Sequence, residues 1–246
     1  MARAPKKANA TKSASKPSPA IVPRDRVIDA LLALAAEERF EEISLTQIAA
    51  RADVSLAEFR DLFASKYAVF AAFLQRIDHV VLEGTSEDLA DENAKERLFD
   101  VLMRRLDAMG PYKAGVQGVA EWAKREPLHA ARLNRLALRS MRFMLEAAGI
   151  EATGRVGALK LQGLVIAWAR VIGVWLDDED QGLAATMAEL DRQLRRGDAL
   201  VARAKDVERL TTPLRILART ALSAGLRLLR ERRPRGGDAD SAATET

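Results

Sequence analysis

The sequence predicts an all-α fold: a small N-terminal helical module followed by a larger helical body. Three observations carry this reading. Apolar residues recur at helical spacing through most of the chain after Arg24. No stretch alternates apolar and polar side chains over a useful strand length. Two short segments, at Ser44 and Ser55, open on the Ser-x-x-Gln/Glu pattern in which a hydroxyl and a longer polar side chain cap each other's backbone.

The first 23 residues, MARAPKKANATKSASKPSPAIVP, carry four prolines and no helical period, which predicts a disordered basic arm. They lack the apolar segment of a secretory signal. From Arg24, Val27, Ile28, Leu31, Leu32, Leu34 and Ala35 make the apolar stripe of a first helix ending near Arg39. Ser44 with Gln47 caps a second helix whose inner face is Leu45, Ile48, Ala49 and Ala52. Ser55 with Glu58 caps a third, beginning at Leu56 and burying Phe59, Leu62 and Phe63. Between them Ala52-Asp53-Val54 must reverse the chain, and Asp tolerates left-handed backbone better than most residues with a side chain. Ser65-Lys66 opens a fourth helix to about Glu83, apolar at Val69, Phe70, Phe73, Leu74 and Ile77.

After a polar loop at 84–93 the helical pattern resumes. Leu98, Val101, Leu102 and Leu106 form a stripe stopped by Gly110-Pro111. Helices are expected around 113–124, 128–148, 154–176 and 181–196, with a last one at 213–231. The expected division is an arm at 1–23, a helix-turn-helix domain at 24–83, a ligand-binding and dimerisation domain at 92–231, and a disordered tail at 232–246.

Composition narrows the chemistry. A chain of 246 residues that is 48% hydrophobic can bury a sizeable core. The absence of cysteine excludes disulfides, thiolate zinc sites and cysteine nucleophiles. No uninterrupted apolar run approaches the ~20 residues of a bilayer span. His79 and His129 are the two histidines, and neither has a metal-ligand partner at useful spacing. With no nucleophile–base pattern or paired-carboxylate pocket to argue, the sequence speaks against an enzyme and implies neither a cofactor nor a metal. Charge is uneven: residues 1–26 hold seven Lys/Arg and one Asp, and residues 212–235 hold seven Arg and one Glu. Basic ends suit a polyanion, whether DNA phosphate or acidic lipid.

A pair of capped short helices of ~20 residues, preceded by one helix and followed by another, fits a three-helix DNA-reading module with a connecting helix. Residues 24–76 resemble the N-terminal domain of TetR-family transcriptional regulators, with Ile48-Ala49, Ala52, Val54-Ser55, Phe63 and Ser65-Lys66 in the family's order. The resemblance implies a cytoplasmic homodimer that lays helix three of each subunit into adjacent major grooves of double-stranded DNA and responds to a small apolar ligand. It places Ser44, Thr46 and Gln47 at the DNA backbone, Ser55, Leu56, Ala57 and Arg60 at bases or phosphates, and Lys66 with its helix N-terminus on a phosphate. The chain departs from the family pattern at Asp53, usually Gly, and at Arg60, usually Tyr. Glu58 is the sharpest departure, a carboxylate beside a phosphate-lined groove.

The stretches 97–113 and 168–197, with an Arg-Leu-Phe start, paired tryptophans and a Leu-Asp-Arg run, look like the lipid-binding accessory family of ubiquinone biosynthesis. That resemblance implies an apolar cavity for an isoprenoid lipid, a dimer, and a membrane-associating C-terminal helix in place of DNA binding. The residues agree in part. In 213–231, Leu214, Leu217, Ala221, Leu222, Leu228 and Leu229 oppose Arg215, Arg219, Arg227 and Arg230, as in a helix lying on an anionic membrane surface. The same pattern suits a helix packed on its own domain. Trp122, Trp168 and Trp175 could line the ligand cavity, although aromatics on apolar stripes are more often core. Asp177 to Asp180 read as acids favouring the positive N-terminus of the next helix.

Overall fold

The computed structural model describes residues 22–84 and 92–199, and among these every regular element is helical. The arm before residue 22, most of the polar loop, the 213–231 helix and the tail lie outside the described residues. In chain order the elements are α1 (Pro23–Glu37), α2 (Leu45–Arg51), α3 (Leu56–Leu62), α4 (Lys66–Glu83), α5 (Ala94–Met109), a single 3₁₀ turn (Gly110–Tyr112), α6 (Lys113–Arg125), α7 (Pro127–Ala147) and α8 (Gly154–Asp177). A further helix, α9, runs over 184–199.

Local chemistry accounts for most boundaries. Pro23 at the first turn of α1 is harmless, because its missing N–H is one that no helix bonds. The helix ends at Glu37, two residues before the expected Arg39, because Glu38 is extended and swings Phe40 into the core, where it is 1% exposed. Gly110-Pro111 stops α5 as expected, by a 3₁₀ turn that runs directly into α6.

The helices group into two compact units. One contains α1 to α4, the part of α5 from Asp100, and α6 and α7; the other contains the first turns of α5, from Glu92 to Phe99, with α8 and α9. This differs from the expected division at the 84–93 loop, since α6 and α7 pack with the N-terminal helices rather than with the C-terminal ones.

In the first unit α6 lies directly on α1. Two glycines one turn apart make this possible: a Cβ on Gly115 would stand 2.3 Å from the Leu32 carbonyl oxygen, and one on Gly118 would stand 2.0 Å from that of Ala35. Any side chain there would collide with backbone. In the same unit α4 packs against α7, and Leu102 and Leu106 of α5 and Met141 and Met144 of α7 are buried. An ion pair is sealed inside: Arg105, 1% exposed, donates to the Asp78 carboxylate, and Ser140 Oγ donates to the same oxygen at 2.6 Å. Burial lowers the pKa of Arg105 while Asp78 opposes the shift, and a guanidinium stays charged in either case.

In the second unit α8 buries Leu161, Leu164, Val165, Trp168, Val171 and Trp175, and α9 buries Leu190 and Leu194. Lys95 of α5 pairs with Asp191 of α9 at 2.7 Å, and Arg97 Nε donates to the Ala148 carbonyl at 2.9 Å. The acids before α9 serve its start: Asp180 accepts from Ala184 N at 3.2 Å, and Asp178 accepts from the amide and hydroxyl of Thr186 at 2.9 and 2.7 Å.

Candidate nucleic-acid interface

The α2–α3 pair is assembled by reciprocal caps and one tight reversal. At α2, the Gln47 amide N–H donates to Ser44 Oγ at 3.1 Å and the Ser44 N–H donates to Gln47 Oε1 at 2.8 Å. At α3, the Glu58 amide N–H donates to Ser55 Oγ at 3.1 Å and the Ser55 N–H donates to Glu58 Oε2 at 2.7 Å. Between them the chain turns through a Schellman closure, with Asp53 N donating to Ala50 O at 3.2 Å and Val54 N to Ala49 O at 3.1 Å. Asp53 takes the left-handed residue of that closure, at φ 52°. An Asp thus does there the work for which Gly is the usual choice.

The reversal presents one side of α3 outward. Phe59 and Phe63 are buried and Leu62 is half-buried, while Ser55, Leu56, Ala57 and Arg60 are exposed. Leu56, at the first position of α3, is 52% exposed. On α2, Ser44, Thr46 and Gln47 are exposed as well, but the Ser44 and Gln47 side chains are occupied by the cap, and Gln47 Nε2 also donates to Glu38 at 3.2 Å. Leu45, expected on the inner face, is 38% exposed instead; α2 is only two turns long and its inward side is filled by Ile48 and Ala49.

Glu58 is less of an obstacle than its charge suggests. Its carboxylate is folded back on the N-terminus of its own helix, and the Ser55 backbone and hydroxyl, with Arg26 nearby, hold it below the usual carboxylate range. The acid stays ionised, but its charge lies at the positive N-terminus of its own helix, accepts from the Ser55 N–H, and has the Arg26 guanidinium nearby. Arg26 also pairs with Asp53 at 3.4 Å, and Arg24 stands 4.7 Å over the Phe63 ring. Neither arginine stands out in the sequence, where the one signal is their position in the first turn of α1.

Lys66 requires a correction. Its ammonium donates to the carbonyl oxygens of Phe40, Glu41 and Ile43 at 2.6, 3.0 and 2.9 Å. An ammonium has three hydrogens, and all three are used. Burial lowers its pKa against the pull of Glu41. Lys66 is therefore a fastener of the α1–α2 connection rather than a group offered to phosphate.

The three tryptophans are all buried, at 2%, 7% and 2% exposure for Trp122, Trp168 and Trp175. Trp122 sits in the first unit, stacked on His129 at 4.0 Å and beside Phe40 and Tyr67 at 5.0 and 5.4 Å, as part of a filled aromatic cluster. Trp168 and Trp175 lie in the second unit on the inner face of α8.

No family profile and no curated protein matches the chain. Solved structures do. A TetR transcriptional regulator from Nitrosomonas europaea ATCC 19718 aligns with a TM-score of 0.57 at 25% identity, over 71% of this chain and 97% of its own. The fold is TetR-like. A TetR transcriptional regulator from Rhodococcus sp. RHA1 matches with a TM-score of 0.52 at 22% identity, over 71% of this chain and 95% of its own. One from Streptomyces coelicolor gives 0.51 at 20%, over 85% and 98%. In this TetR-like frame the α2–turn–α3 pair is followed by α4. The ubiquinone-accessory reading rests on the resemblance of 97–113 and 168–197 and on the 213–231 pattern, which lies outside the described residues.

Proposed function

We propose that the protein is a homodimeric transcriptional regulator that reads duplex DNA with α3. The observation that carries this is the doubly capped α2–α3 pair, which buries Phe59 and Phe63 and leaves Ser55, Leu56, Ala57 and Arg60 facing solvent. These side chains suit a major groove. Leu56 and Ala57 fit thymine methyl groups, and Arg60, which forms no ion pair among the described residues, suits guanine or phosphate.

Dimerisation is supported by α8 and α9. Leu159, Ile166 and Met187 are 55%, 47% and 40% exposed, and α8 is apolar enough to cross a bilayer by length and composition, although only a third of its most apolar window is buried. An apolar helix left this open is better explained by a second copy than by solvent. Sedimentation equilibrium is expected to give twice the chain mass, and to give one chain mass for Leu159→Glu/Ile166→Glu; a monomeric parent protein would remove the dimer.

The test of DNA reading is a duplex-shift assay on selected sequences across salt concentrations. Arg60→Ala is expected to weaken binding about tenfold and to flatten the salt slope. Glu58→Gln, which keeps the reciprocal cap and removes the charge, is expected to tighten binding. A protein with no preference among duplexes at low ionic strength would end the regulator reading.

A further inference from the structure

Helix α7 carries a charged face of which the fold engages only one end, where Arg132 lies over the Tyr67 ring. Arg132, Arg135, Arg139 and Arg142 are all exposed. At 100° per residue they lie within about 40° of one line along the helix, in a row about 15 Å long. The only acid on α7 is Glu146. Among the described residues no carboxylate pairs with any of the four. An ordinary solvated helix face interleaves both signs. Two large apolar side chains stand on the same side, Leu128 before the row and Phe143 at its end, 56% and 54% exposed.

The row and its flanks describe their partner. A second copy meeting this face across a two-fold axis would set arginines against arginines. A duplex held on α3 is also a poor match. The Arg132 guanidinium stands 5.0 Å over the Tyr67 ring at the start of α4, and Ser140 reaches Asp78 near its end, so α7 runs alongside α4 away from the reader. A phosphate backbone also has no use for an open Leu and Phe. A lipid headgroup layer uses both: guanidiniums bind phosphates in pairs of hydrogen bonds, and Leu and Phe enter the boundary below. We propose that this face of α7 docks on an anionic phospholipid surface.

The test floats the full-length chain with phosphatidylcholine vesicles and with an equal mixture of phosphatidylcholine and phosphatidylglycerol. Arg135→Gln/Arg139→Gln is run beside the parent protein; segment 212–235 is intact in both, so any affinity of its own is common to the two. The parent is expected to float with the mixed vesicles and not with the neutral ones. Loss of two arginines is expected to weaken this about thirtyfold. Because Trp122, Trp168 and Trp175 are buried, Phe143→Trp adds an exposed reporter whose emission should shift to the blue on mixed vesicles. Flotation equal in parent and double variant, absent in the parent, or equal on neutral vesicles overturns the proposal. So does single-stranded RNA that binds the parent and is lost in the variant while vesicle binding is unchanged. Unfolding and duplex binding of the variant should match the parent, which keeps this result separable from the regulator reading.

Discussion

Replacing Gly118 with alanine is expected to destabilise the protein by about 3 kcal/mol, the upper end of what one added methyl costs in a packed interior. The cost is high because the methyl would stand 2.0 Å from the carbonyl oxygen of Ala35, which is backbone and cannot rotate aside. Alanine is the better helix former by about 1 kcal/mol, so the collision must exceed that gain for the variant to be less stable. At 2.0 Å it does, and α6 has to lift off α1. Gly115→Ala meets the Leu32 carbonyl at 2.3 Å and should behave alike, whereas Gly163→Ala, which meets nothing within 4 Å, should be neutral or mildly stabilising. Thermal unfolding of the three variants checks this; a Gly118→Ala protein as stable as its parent would mean that the two helices are not in backbone contact.

The second large effect lies in the interior ion pair. Asp78→Ala is expected to cost about 3–5 kcal/mol, because it leaves the Arg105 guanidinium buried without its carboxylate. For a chain of this size that is a fall in Tm of roughly 10 °C. Arg105→Ala should cost a similar amount by stranding Asp78. The double variant Asp78→Leu/Arg105→Met removes both charges and roughly keeps their volume, and is expected to recover most of the loss. Additive losses in the double variant, read in a mutant cycle, would show that the two groups are not coupled.

What the sequence disclosed was the chemistry that acts within a few residues. The starts of α2 and α3 were legible to the residue because a capping box spans four positions, and Asp53 was legible because the reversal leaves a single place for left-handed backbone. The outward side of α3 followed from the inward spacing of Phe59 and Phe63. The features that failed were those whose partners are remote in the chain. Lys66 stands at the head of a helix, where a lysine reads as a phosphate ligand, yet its acceptors lie at Phe40, Glu41 and Ile43. Asp78, Arg105 and Ser140 come from three helices, and none of those helices signals the meeting. The association of α6 and α7 with the N-terminal helices was likewise not legible, because a polar loop at 84–93 looks like a border whatever packs beyond it.

The triple grip of Lys66 has a mechanical consequence. The first residue of α4 is fastened to the link between α1 and α2, and Ser65 just before it caps α4 by accepting from the Ala68 N–H at 3.2 Å. The head of α4 and the α1–α2 link are therefore held together by three side-chain-to-backbone bonds. A push delivered along α4 reaches that fastening from up to about 27 Å away along its 18 residues, and α6, lying on α1, gives a second route.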